Sequence, residues 1–258
     1  MDPHAGAMLV AAGIVGGTIS SLVGGAAIVT FPALIATGLD PVVATATNLV
    51  ALVPGNFLAS LYDRTQLPPL DRAFAGLLAA SLLGAAGGAI LLMLTPASLF
   101  AAFVPALLAF ATVLFAYARR ISDWIHARAA AQGGEANRWS GSAAALLPVS
   151  VYTGYFGAGA GVMLLAVLSI GTHGDYRSAN VTKNLVTSLN SLVAACVFVA
   201  QGKVAWPATL TMMAGALAGG LIGARLAQVV PREAMRALVV MVGALLTAIF
   251  AWRYWFAP

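Results

Sequence analysis

Apolar residues run along the chain in eight stretches, 8–37, 42–62, 73–94, 97–118, 142–170, 178–200, 204–227 and 234–256, separated by short polar connections and one longer polar segment. Most match the roughly 20 residues a helix needs to cross a bilayer. A lipid interior offers no partner for backbone N–H or C=O groups, so these stretches predict helices, which satisfy their own. Inside the sixth stretch the pattern changes. Asn180, Lys183, Asn184, Thr187, Ser188 and Ser191 recur at i, i+3, i+4, i+7, i+8 and i+11, a polar stripe along one helix face, with Val181, Leu185, Val186, Leu189 and Leu192 forming an apolar back. Such a stripe must face protein or water, and an ionisable residue within it, Lys183, marks a functional site by default.

The first stretch has 30 residues, about 45 Å as one helix, and is broken near its middle by Gly24-Gly25. Its counterpart at 142–170 is broken by GAGAG at 157–161. Glycine runs weaken helix and allow tight turns, so each stretch is either one broken crossing or a hairpin that returns to its own side.

The two halves repeat at an offset of about 134 to 136 residues. LVGGAAIVTFPAL (22–34) lies against FGAGAGVMLLAVL (156–168), and ATATNLV (44–50) against NVTKNLV (180–186), pairing Asn48 with Asn184. Gly84 and Gly88 correspond to Gly219 and Gly223, and Pro96 to Pro231. The expected architecture is an all-α polytopic membrane protein: a first repeat over 1–118, a cytoplasmic linker over 119–140 and a second repeat over 141–258. Each repeat has a glycine-broken or re-entrant first helix followed by three transmembrane helices.

Charge favours the hairpins. If every stretch crosses once, the Lys and Arg other than Lys183 divide 8 to 4 between the two faces; if the first stretch of each half returns, they divide 10 to 2. Cytoplasmic loops carry the excess, so the second arrangement is preferred. It makes the repeats inverted and puts both termini outside a bacterial-type inner membrane, with the linker in the cytoplasm.

Composition fits this setting. The chain is 61% hydrophobic and 8% charged, with mean hydropathy +0.93, against roughly 25% charged residues in a soluble domain. The net charge of +5 comes from Arg and Lys in connections, which makes it a topology signal and excludes a nucleic-acid surface. Cys196 is the single cysteine, so no intrachain disulfide or thiolate cluster forms. The N-terminus lacks a charged n-region, which argues against a cleaved signal peptide. No cofactor or metal is implied, and the partners expected are a small anion and the lipid bilayer.

The eight Asp and Glu residues sit at span ends or in loops, leaving no carboxylate at mid-membrane for a proton or sodium relay. No H-E-x-x-H or G-x-S-G motif occurs, and no catalytic residue is assigned. The polar groups suit binding instead. Glycine breaks expose backbone N–H groups and helix N-termini, which favour anions. Lys183 adds charge; Thr47, Asn48, Asn184, Thr187 and Ser188 add neutral hydrogen bonds. Gly24, Gly25, Gly157, Gly159 and Gly161, with those six, make up the candidate substrate site. The alternative is equally physical: glycines and small polar groups in membrane helices also serve close packing and interhelical hydrogen bonding, and Lys183 is near enough to a span end to reach the interface.

These motifs resemble the TauE/SafE family, the sulfite-exporter or TSUP transporters. That family is marked by a duplicated G-x-G-G-G-x-x-x-x-P-x-L segment, each followed by a short A/G-T-S-L motif. Here the first copy reads VGGAAIVTFPAL, then Ala46-Thr47-Asn48-Leu49, and the second reads GAGAGVMLLAVL, then Thr182-Lys183-Asn184-Leu185. Ala26 and Ala27 replace glycines and Ala166 the second proline; Asn48 and Asn184 stand for serine and Lys183 for threonine. The resemblance implies export of sulfite, organosulfonates or other small sulfur-containing anions. A non-transporting membrane scaffold or accessory subunit is the alternative reading.

Overall fold

The computed structural model describes residues 2–22, 24–131, 138–172, 175–226 and 232–256, which form eleven α-helices: α1 (Pro3–Leu22), α2 (Ala27–Ala36), α3 (Pro41–Tyr62), α4 (Arg72–Leu94), α5 (Ala97–Ala116), α6 (Ala118–Ala131), α7 (Arg138–Tyr155), α8 (Ala160–Gly171), α9 (Tyr176–Ala200), α10 (Trp206–Leu226) and α11 (Arg232–Ala251). Among them, seven segments are long and apolar enough to cross a membrane. The linker interior with Glu135, together with His173 and Pro231, lies outside the described residues. The polar segment between the halves begins as α6, which packs along α8.

The acidic residues at span ends have a local task. Asp40 accepts from Val42 N at 2.9 Å, Asp71 from Phe74 N at 2.7 Å, and Asp175 from Arg177 N and Ser178 N at 3.1 and 3.3 Å. Each caps a helix start whose first amides lack intrahelical partners, and Pro41 just inside α3 suits the same position.

Both glycine-broken stretches are hairpins. Gly24 and Gly157 take φ of +79° and +77°, which side chains with a Cβ rarely adopt. In each, the glycine N–H reaches back five residues, Gly24 to Ile19 O and Gly157 to Tyr152 O, both at 3.0 Å. This left-handed stop ends α1 and α7. Beyond it α2 folds back, bringing Thr30 and Ala26 against Gly16. At 10 and 12 residues, α2 and α8 cover only about 15–18 Å, near half the hydrocarbon thickness.

Helix directions follow from the contacts. Gly215, Gly219 and Gly223 of α10 pack in order on Val10, Ile14 and Thr18 of α1. Thr47 and Gly55 of α3 meet Ala205 and Ala216 in order. So α1, α3 and α10 run one way. In the same manner Gly84 and Gly88 of α4 meet Leu147 and Val151 of α7, so those two run together. Helix α9 runs against α3, since Arg177 pairs with Asp63 (Nε–Oδ2 2.5 Å) while Ser188 donates to Val53 O. That ion pair also sets the α3–α4 connection beside the start of α9, a placement incompatible with eight single crossings.

The halves interlock through glycine. Helix α1 packs on α10 and α7 on α4, each from the opposite half, and a Cβ at Gly88 or Gly219 collides with the Val151 or Ile14 carbonyl. The two G-x-x-x-G pairs therefore serve backbone approach. Phe31, Phe156 and Phe100 join the hairpins edge-to-face, with centroids 5.3 and 6.1 Å apart along the series. Leu83, Leu94, Leu210, Met241 and Leu245 lie exposed outside, a surface suited to lipid.

Replacing Gly219 or Gly88 by Leu forces two backbones apart. Overpacking of this kind costs about 1–3 kcal/mol or more, so either variant is expected to melt several degrees below wild type in detergent, whereas Gly76→Leu, where nothing lies near the new Cβ, leaves the melting temperature unchanged.

Candidate functional site

The broken end of α1 organises the polar interior. A helix leaves its last four carbonyls without intrahelical donors, and Ser20, Ser21 and Leu22 are all buried. Their partners come from the first turns of α9. Tyr176 OH donates to Leu22 O at 2.8 Å, Asn180 Nδ2 to Ser21 O at 3.0 Å, and Lys183 Nζ to Ser20 O at 2.8 Å, while Asn184 Nδ2 adds a longer bond to Ser21 O at 3.4 Å. These donors stand at i, i+4, i+7 and i+8, one face of α9.

Lys183 is 1% exposed and pairs with no carboxylate among the described residues. Its ammonium rests at the negative end of the α1 dipole, where a cation is favoured. The amides beside it are only half used. Because each Nδ2 faces a carbonyl, which can only accept, the orientation of each amide is fixed. The Oδ1 atoms of Asn180 and Asn184 accept no hydrogen bond from any described residue, nor does Asn48 Oδ1, and Thr187 Oγ1 is likewise unpartnered.

The equivalent end of α7 is finished differently. On α3 the positions matching Tyr176, Asn180, Lys183 and Asn184 are Asp40, Ala44, Thr47 and Asn48. Thr47 accepts from Ala205 N at 3.1 Å, ahead of α10. Tyr152 helps close α7 from within: its carbonyl takes Phe156 N and Gly157 N, and its hydroxyl donates to Ala158 O at 2.7 Å. A cation capping a broken helix thus occurs in one half, not both, of the described residues.

A family model described as "Sulfite exporter TauE/SafE" matches residues 9–250. The chain belongs to the TauE/SafE family. Similar proteins include a "Probable membrane transporter protein" of Haemophilus influenzae, 26% identical across 94% of this chain and 92% of that protein, and "Probable membrane transporter protein YfcA" of Escherichia coli K12, 25% identical across 90% and 84%. A third, "Probable membrane transporter protein ORF9" of a Sinorhizobium species, is 27% identical across 93% and 89%. No solved structure matches the chain. This TauE/SafE protein is a multi-pass membrane protein of a membrane-transporter family.

The candidate residues fall into separate groups. Lys183, Asn184 and their neighbour Asn180 gather at the α1 end. Ser188 lies further along α9, bonded to Val53 O at 3.2 Å where α9 crosses α3, and Thr187 lies beside it, half-buried. Asn48 is buried on the far side of that crossing, nine residues out of register with Asn184, or about 13 Å along the axes. The glycines are close-packed: a Cβ on Gly24 or Gly161 strikes the other's backbone, Gly25 faces the Phe115 ring, Gly159 lies against Ala111, and Gly157 is near Leu49. The apolar back of α9 is half covered, since Val181 and Val186 are buried while Leu192 is exposed.

Several polar residues of this TauE/SafE interior escape a reading by stripe. Ser20 Oγ donates to Asn56 Oδ1 at 2.7 Å, and Ser81, Ser150 and Asn190 bond together across α4, α7 and α9 at 2.7 to 3.2 Å. Asn56 and Asn190, asparagines inside apolar spans, were the available signal. Tyr176 precedes the polar stripe, and Ser20 and Ser21 contribute carbonyls, which no side-chain pattern reveals.

Lys183→Met keeps the bulk but leaves Ser20 O without this donor, a loss of about 1–3 kcal/mol for a buried acceptor. Its melting temperature is expected to fall below that of Thr187→Val, which removes a hydroxyl that already lacks a partner. Thermal unfolding of both variants in detergent checks the order.

Proposed function

We propose that the protein carries a small sulfur-containing anion, sulfite or an organosulfonate, across the membrane in the outward direction, with Lys183 as the charge that attracts it. The observation that carries this is a buried ammonium held, among the described residues, only by a backbone carbonyl. Burying a cation is expensive unless it is paired, and a helix end supplies only about half an opposite charge. An anionic cargo completes the balance. The family description, "Sulfite exporter", points to the same chemistry. Asn184, Thr187 and Ser188 continue the polar face from Lys183 towards the α3–α9 crossing, and Thr47 and Asn48 continue it beyond. Gly24, Gly25, Gly157, Gly159 and Gly161 form the turns that shape both ends of this path.

We infer that the two halves are an inverted duplication. Matching helices running in opposite directions support it: α1, α3 and α10 against α7, α9 and α4. The charge division of 10 to 2 then favours a cytoplasmic linker and two outside termini in a bacterial-type inner membrane.

Purified protein in liposomes is expected to pass labelled sulfite or a small sulfonate, and Lys183→Gln to lower that flux at least tenfold at equal reconstitution. Flux retained by the variant removes Lys183 from the path; no flux of any anion removes the transport reading. For topology, single cysteines at Arg64 and Arg120 in a Cys196→Ser background are expected to resist an impermeant thiol reagent in whole cells, while one at Gln201 reacts. The opposite labelling overturns the orientation.

A further inference from the structure

We infer that the site at the α1 end selects small anions that carry a neutral hydrogen-bond donor of their own, a hydroxyl near the anionic group, over anions without one. This rests on the transport reading and narrows its substrate class. Asn180 and Asn184 are 6% and 2% exposed, flank Lys183 on α9, and each commits its Nδ2 to Ser21 O. That commitment turns each Oδ1 the other way, and both are without a donor among the described residues. An unpartnered buried acceptor is destabilising, so two beside one ammonium are a costly arrangement for packing alone.

The chemistry of the pair is acceptor only. Lys183 already supplies a positive charge there, so a metal cation is repelled. A bare oxyanion gains Lys183 but sets its own oxygens against two amide oxygens. An anion with a donor satisfies both: its charged group meets the ammonium and its O–H meets an Oδ1. Residues three and four apart on a helix have Cβ atoms about 5–6 Å apart, which suits a donor two to three bonds from the charged group. A short hydroxysulfonate fits.

The matched pair 2-hydroxyethanesulfonate and ethanesulfonate differs by one hydroxyl at equal charge, and wild-type protein decides the question without a variant. Sites built to bond a substrate hydroxyl discriminate strongly against the analogue lacking it. Binding read by thermal shift, and competition against labelled sulfite flux in liposomes, are expected to favour the hydroxy compound at least tenfold. Asn180→Leu and Asn184→Leu, each checked for folding by its melting curve, are expected to bring the ratio close to one. Equal affinity for the two sulfonates overturns the donor requirement while leaving sulfonate transport standing. Failure of sulfite and both sulfonates to bind or move overturns the transport reading and this inference with it. An unchanged ratio in both folded variants overturns the assignment to these two oxygens.

Discussion

The fold depends on satisfying the carbonyls where α1 stops inside the protein. In water a helix end is served by solvent, but in a membrane interior the same groups need built-in donors. Helix α9 supplies them in sequence through Tyr176, Asn180, Lys183 and Asn184. This requirement explains why the striped face of α9 lies among buried neighbours rather than at the rim. It also explains how a lysine persists there: the negative end of α1 holds the ammonium in place of a carboxylate.

The second constraint is close backbone approach. With little hydrophobic force between helices in lipid, association relies on packing and hydrogen bonds. The chain answers with glycine where α1 meets α10, where α7 meets α4, and where Gly24 meets Gly161 between the hairpins. Each contact joins the two halves, so neither half has a complete core of its own. The aromatic series through Phe31, Phe156 and Phe100 ties the same hairpins together.

The two broken helices are finished with different polar chemistry. One broken helix is finished by α9 with a cation and two amides; the other is finished partly by its own Tyr152.

The sequence by itself determined the membrane setting, the glycine breaks and the polar stripe of α9, because periodicity and composition are local properties that burial in lipid makes legible. Capping also left a trace, in the acidic residues ahead of α3, α4 and α9. The first break is a hairpin rather than a kink because Thr30 lies against Gly16, a contact between separated turns that no local pattern shows. Tertiary structure alone decided that Asn48 and Asn184, aligned by the repeat, lie on opposite sides of the α3–α9 crossing. It alone decided that Lys183 holds a backbone carbonyl. Carbonyls are the same at every position, so no residue pattern shows which ones a side chain must reach; only the path of the folded chain does.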